Sequence, residues 1–282
     1  MHLNFRIFPK ILAIPDEMCY TKIGLLCKSN YGLIYKAISD IYGLIIIKIN
    51  KDSNNYNYSC KYYNQFDNLS LCKMYAHEDD KKLQILEFVK GNNLFSVSDF
   101  NSRIKLGYNY LHNWSNNVKH TDDEEISFEH KVINIINELD RMNLSNKATN
   151  VKKAFLSIAK DFFKKYDNTY LIHGDLHHYN LIYDGSNVVA IDLSPQVASF
   201  AIEVAKFIEN ELFINIENLD ETLDSVLNLF KFDIISEKEL LEGLFIDSCY
   251  RTFDSLIESG ETLDFNKGLY MNEKIYEYIK KR

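Results

Sequence analysis

Apolar residues gather in short strand-length runs through the first ninety residues, and recur at intervals of three and four over most of the rest. "KIGLLCK" (22–28) and "LIYKAI" (33–38) flank "SNYG", and "LIIIKIN" (44–50) follows "SDIYG", a turn signal ending in Gly43. These runs predict a three-stranded antiparallel meander. "KDSNNYNYSCKYYNQF" (51–66) is polar and aromatic, with room for a short helix, and "LCKMYAH" (71–77) and "KLQILEFV" (82–89) read as two further strands joined by "EDDK".

After "KGNNL" the period changes. "DFNSRIKLGYNYLHNWSNNV" (99–118), "FEHKVINIINELDRM" (128–142) and "NVKKAFLSIAKDFFKKY" (150–166) each predict an amphipathic helix, with the acidic "TDDEEIS" as a loop between the first two. Helical period then stops for "YLI", "NLIY" and "VVAIDL" within 170–193, and resumes with "SFAIEVAKFIENELF" to the end. Strands first and helices second, with a small hairpin embedded in the helices, predict an α+β chain of two lobes: a small antiparallel β-sheet lobe at 1–88 and a larger, mainly helical lobe at 89–282.

Composition narrows the function classes. With 46% hydrophobic residues in 282, the chain has material for a sizeable core. The 32 Lys and Arg against 40 Asp and Glu give a net charge of −8 without a basic cluster, which argues against a nucleic-acid partner and suits a cationic or hydroxylated small molecule. No apolar run reaches the roughly 20 residues of a membrane span, and the N-terminus lacks a secretory pattern, so the expected compartment is the cytoplasm. Cys19, Cys27, Cys60, Cys72 and Cys249 are odd in number and never spaced CxxC, so free thiols are expected, with Cys27 and Cys72 as strand core residues.

The candidate chemistry lies in "YLIHGDLHHYNLIYDGSNVVAIDLSP" (170–195). If a loop separates them, Asp175 and Asn180 face one cavity, and Asp192 reaches it from a following strand. One Asn, one Asp and substrate phosphates form an oxygen set suited to Mg²⁺. Asp175 is then free to receive a proton from an attacking hydroxyl. His173, His177 and His178 offer a competing zinc reading, which Gly174 and the flanking strand-like residues oppose because H-x3-H needs a helix.

This segment resembles the catalytic segment of protein-kinase-like phosphotransferases. "HGDLHHYN" followed by "AIDLSP" is similar to the aminoglycoside phosphotransferase family, most of all to its streptomycin 6-phosphotransferase and hydroxyurea phosphotransferase branch. "SNYGLIYKA" and "LIIIKI" resemble that family's nucleotide loop and lysine strand, "LQILEFVKGNNL" its hinge, and "SCYRTFDSLIESGE" its penultimate helix. The resemblance implies a two-lobed protein-kinase-like fold and Mg²⁺-dependent transfer of the γ-phosphoryl group of ATP or GTP. The implied acceptor is a hydroxyl of an aminoglycoside such as streptomycin, giving antibiotic resistance. Asp175 is then the catalytic residue, Asn180 and Asp192 hold the metal, His173 braces the loop, and Lys48 holds the α- and β-phosphates. Ser29 and Asn30 cradle phosphate, and the backbone of Glu87 to Val89 meets the purine. Gly174 stands where regulated protein kinases carry an Arg, which favours constitutive work on a small molecule.

Two positions depart from that family. Residues 51–66 contain no Glu to pair with Lys48, and "SNYG" has a single glycine. These departures keep a nucleotide-binding pseudokinase scaffold open, and a metabolite alcohol such as choline, an amino alcohol or a sugar is an alternative acceptor. Of the acidic residues in the C-terminal part, most are expected on helix surfaces, with Asp247, Glu258 and Glu261 as candidates for a cationic substrate. Trp114 is open to two roles, packing anchor or substrate platform.

Overall fold

The computed structural model describes residues 20–28, 32–66 and 69–282. Strands β1 (Tyr20–Lys28), β2 (Gly32–Ser39) and β3 (Gly43–Asn50) form the expected meander. Helix α1 (Ser53–Tyr62) follows, capped by the Asp52 carboxylate on the Asn54 N–H at 2.8 Å, and then β4 (Met74–Glu78) and β5 (Leu83–Glu87). The five strands are antiparallel in the order β1-β2-β3-β5-β4.

Alternation along the strands sorts the two faces of this sheet. Ala37, Ile45, Ile47, Leu83 and Ile85 are buried together, with Tyr35, Ile49 and Tyr75 packed against them. Lys48, one residue out of phase, lies opposite Ile34 and Gln84. On that second face Asn50 donates to Gln84 Oε1 at 3.1 Å, and Gln84 Nε2 donates to Ser59 on α1. Gly32 is required by close approach rather than by flexibility, because a Cβ there would lie 2.3 Å from the Ile49 carbonyl oxygen. Cys72 is buried as expected, whereas Cys27 is exposed, since β1 is an edge strand.

Two short strands, β6 (Asn92–Asn93) and β7 (Lys119–His120), and three helices come next: α2 (Phe100–Ser115), α3 (Phe128–Leu139) and α4 (Asn146–Lys165). Helix α4 starts four residues before the predicted point because Ser145 caps it, accepting from the Ala148 N–H at 3.3 Å. The strands β8 (Tyr170–Ile172), β9 (Leu181–Tyr183), β10 (Val188–Ala190) and β11 (Gln196–Ala198) precede α5 (Phe200–Ile214), α6 (Leu219–Leu229), α7 (Glu237–Ser259) and α8 (Leu263–Lys281).

The described residues divide into two compact units, those up to 92 with 182–191, and 93–181 with 192–282. In the first, the 182–191 hairpin is tied down by Cys72 N–H to Ala190 O and by Ala190 N–H to Ser70 O, both 2.9 Å. In the second, α5 and α7 pack against each other, and α4 and α8 pack on α7. Phe155, Phe200, Phe207, Phe245 and Phe253 are fully buried there. Helix α5 is buried on nearly all sides, so its charged residues are interior groups, and a lone α-helical stripe does not describe it. Strand β8 pairs with β11 on one side and β7 on the other, which fixes the chain on either side of the polar loop that follows it.

Candidate active site

The loop from His173 to Asn180 leaves β8, and its shape is set by backbone contacts. Gly174 has φ +83°, and a Cβ there would meet the Ser194 carbonyl oxygen at 2.0 Å. Its N–H donates to Glu203 Oε2 at 2.9 Å and its C=O accepts from Gln196 Nε2 at 3.2 Å. The His173 C=O accepts from Ser194 N–H at 3.1 Å, and His173 Nδ1 accepts from the Asp175 N–H at 3.4 Å, so the buried imidazole braces the start of the loop. Trp114 meets that imidazole edge-on at 6.1 Å and is itself buried, which makes it a packing residue.

Asp175 and Asn180 come together across one turn. Asn180 Nδ2 donates to the Asp175 carbonyl at 2.9 Å and to Asp175 Oδ2 at 3.1 Å. His177 Nδ1 accepts from the Tyr179 N–H at 3.2 Å, and its Nε2 lies 3.5 Å from Asp175 Oδ2 and 3.3 Å from Asn180 Nδ2. The other carboxylate oxygen, Oδ1, lies 3.7 Å from an Arg251 terminal nitrogen. Burial pushes the Asp175 carboxyl up, but His177, Arg251 and His173 outweigh it and bring it down to about 2. The side chain is still 40% exposed, so an ionised carboxylate is presented to solvent.

Around this loop lies a set of interior charges that the sequence reading places on helix surfaces. Glu203, Glu209 and Glu211 on α5 are all buried. Burial raises Glu203 to about 7 against the opposing Gly174 N–H and Lys206, and raises Glu209 to about 7 against Arg251. Glu211 takes a two-pronged bond from Arg103 of α2, at 2.6 and 2.8 Å, and lies 3.4 Å from His178 Nδ1. His178, fully buried, is pushed down to about 4 by burial and by the Arg103 charge, so it is a neutral packing group. The signal for these residues is in the sequence. "SFAIEVAKFIENELF" sets its charges in a helix that is apolar all round, and such charges must be paired inside.

The other expected residues are placed as follows. Asp247 is buried on α7 and shared between Lys206 Nζ at 2.7 Å and Arg251 Nε at 3.1 Å. Glu258 and Glu261 are exposed at the end of α7 and just beyond it. Glu87 ends β5; its N–H donates to Lys73 O at 2.8 Å, and its carboxylate accepts from the Lys73 N–H at 3.0 Å. Phe88, between Glu87 and Val89, lies under the Lys36 ammonium at 3.9 Å. Ser29 and Asn30 lie outside the described residues. Asp192 has φ +61°, a strained setting for a residue with a Cβ.

For a divalent metal the test is the donor set. Asn180 spends its Nδ2 on Asp175, which leaves Oδ1 with no hydrogen bond among the described residues. No group of three or more His, Cys, Asp and Glu suited to a metal occurs among them either. An amide oxygen and the Asp192 carboxylate, completed by phosphate oxygens and water, suit Mg²⁺ rather than zinc.

Comparison with known structures identifies the architecture. The choline kinase LicA from Streptococcus pneumoniae superposes with a TM-score of 0.66 at 13% identity, covering 93% of this chain and 94% of that one. An ethanolamine kinase from Plasmodium vivax gives 0.63 at 14% identity, covering 90% and 81%. The aminoglycoside phosphotransferase APH(4)-Ia gives 0.65 at 10% identity, covering 93% and 94%. The fold is kinase-like. The RIO domain family matches residues 129–218, under half of the chain, and no curated protein sequence matches it. A thermostable mutant of APH(4)-Ia has been solved with AMP-PNP and hygromycin B, and LicA with AMP. No helix among the described residues is long and apolar enough to cross a membrane.

Proposed function

We propose that this protein is a Mg²⁺-dependent O-phosphotransferase that moves the γ-phosphoryl group of ATP or GTP to a hydroxyl of a small molecule. The observation that carries the reading is Asp175: an ionised, half-exposed carboxylate held by Asn180 in a loop pinned through Gly174 to Glu203. The kinase-like neighbours named above are small-molecule kinases, which supports the same reaction class.

With its carboxyl at about 2, Asp175 is too weak a base to strip a hydroxyl early. Its role is to accept the hydroxyl hydrogen bond and aim the oxygen at phosphorus. It takes the proton as the new P–O bond forms and the bond to the β,γ-bridging oxygen breaks, releasing the nucleoside diphosphate. Asn180 and Asp192 would hold the metal, Lys48 the α- and β-phosphates, and the backbone of Glu87 and Val89 the purine. A bound Mg²⁺ ion supplies neutralisation of charge on the β- and γ-phosphates.

For the acceptor, one observation favours a metabolite alcohol over a polycation: Asp247 is enclosed between Lys206 and Arg251 and so is not offered to a ligand amine. The aminoglycoside reading, with streptomycin as the type and antibiotic resistance as the outcome, is the second reading, supported by "HGDLHHYN". The test is nucleotide consumption against a panel of aminoglycosides and metabolite alcohols, with product mass giving the position modified. Asp175→Asn is expected to lower kcat by roughly 10²- to 10⁴-fold, and Asp192→Ala to abolish Mg²⁺-dependent turnover. Unchanged turnover in either purified variant would falsify the mechanism, and Mg²⁺-dependent nucleotide binding without product would favour a pseudokinase.

A further inference from the structure

Arg251 sits beside the carboxylate assigned to the acceptor hydroxyl. Its Nε donates to Asp247 Oδ2 at 3.1 Å and lies 3.6 Å from Glu209 Oε2, while a terminal nitrogen lies 3.7 Å from Asp175 Oδ1. Asp247 is fully buried and gives its other oxygen to Lys206, whose ammonium also lies 4.8 Å from the centre of the Phe128 ring. The guanidinium is therefore anchored at its inner edge. Its terminal N–H groups make no hydrogen bond to any described residue, the Asp175 contact being longer than a hydrogen bond, and the side chain is 28% exposed. Arginine presents a planar fork matched to carboxylate and phosphate, and it keeps its charge at every working pH.

We propose that Arg251 sets acceptor specificity by binding an oxyanion, a carboxylate or phosphate group, on the alcohol whose hydroxyl meets Asp175. An alcohol hydrogen-bonded to Asp175 Oδ1 brings its neighbouring substituent within reach of the free fork. A cationic substituent there meets Arg251, which already occupies the space between Asp175, Glu209 and Asp247 that an ammonium would need. The acceptor class is thus a small hydroxy acid or sugar-like phosphate rather than an amino alcohol or a polyamine. This inference rests on the phosphotransferase reading and narrows it.

The test compares kcat/KM for acceptors that differ in one substituent: glycerol, glycerate and glycerol 3-phosphate, with ethanolamine, choline and streptomycin as the cationic arm. The wild-type protein is expected to prefer glycerate or the phosphate over glycerol, and which of the two leads identifies the oxyanion. In Arg251→Gln that preference is expected to fall by roughly 10- to 100-fold, read as the ratio of oxyanion to neutral acceptor. General loss of Asp175 alignment lowers both acceptors alike and leaves the ratio in place. Arg251→Lys, which keeps the charge and loses the fork, is expected to retain part of the preference and serves if the Gln variant does not fold. A best acceptor that is cationic, or a ratio indifferent to both substitutions, overturns the inference while the phosphotransferase reading stands. Turnover with no acceptor of any class overturns both.

Discussion

Gly174 shows how one residue carries two arguments. In the sequence it stands out because regulated kinases place an Arg there, and its absence speaks against control by a phosphorylated loop. In the fold the backbone alone excludes a side chain: φ is +83° and a Cβ would fall 2.0 Å from the Ser194 carbonyl oxygen. Gly174→Ala is therefore expected to cost about 1–3 kcal/mol, read from the shift in urea midpoint at constant m-value. Because Asp175 is the next residue, kcat is expected to drop as well. An alanine variant with wild-type stability means that the loop repacks easily, and the positioning argument fails with it. His173, Asp175 and Asn180 were legible in the sequence because their contacts are local to an eight-residue loop. Glu203 and Arg251 were not, since their contacts with the loop span 29 and 76 positions and local spacing carries no trace of such contacts.

At the scale of elements, the ion pair between α2 and α5 decides how the helical unit is held. Arg103 and Glu211 are nearly or wholly shielded from water, bonded at two points, and Arg103 also donates to Val97 O at 2.7 Å. Removing one partner leaves a buried charge alone. Arg103→Met is expected to cost about 3–5 kcal/mol, whereas adding Glu211→Leu to it is expected to recover a large part of that loss. Denaturation of both variants measures the difference, and equal destabilisation in the two contradicts the idea that the orphaned carboxylate is the cause. Strands β1 to β5 were legible as short apolar runs bounded by turn signals, and α2 to α5 because each spans three turns or more. The two- and three-residue strands β7 and β11 show no period, and only their pairing with β8 defines them. Helix α5 is legible as a helix from its period and as a buried one from apolar residues on all of its faces, but the partners that its interior charges meet are not, because they lie on other elements.

For the whole molecule, the interior carboxylates set an unusual dependence of stability on pH. Glu203 and Glu209 titrate near 7 in the folded protein and near 4.5 when unfolded, chiefly through burial. Between those values the folded state binds more protons, so each group's contribution falls as pH rises from 4.5 to 7 and stays low above it. His178 acts in the opposite sense: its folded value of about 4 lies below the ordinary 6.5, so its contribution is lost as pH falls from 6.5 to 4. Asp175, held near 2 against 3.8, loses its contribution only below pH 4. Two groups against one leave a net loss with rising pH between 4.5 and 7, on the order of a few kcal/mol. The ligand-free protein is therefore expected to have its highest urea midpoint near pH 5 and a lower one at pH 8. Glu209→Gln is expected to flatten the curve between pH 4.5 and 6.5, because one remaining carboxyl then balances one histidine. A midpoint that climbs steadily to pH 8, or a curve that Glu209→Gln leaves unchanged, refutes the placement of these charges in the interior. The same two carboxylates anchor Gly174 and flank Arg251, so the stability given up at neutral pH falls on the residues that hold the catalytic loop and the proposed acceptor site in place.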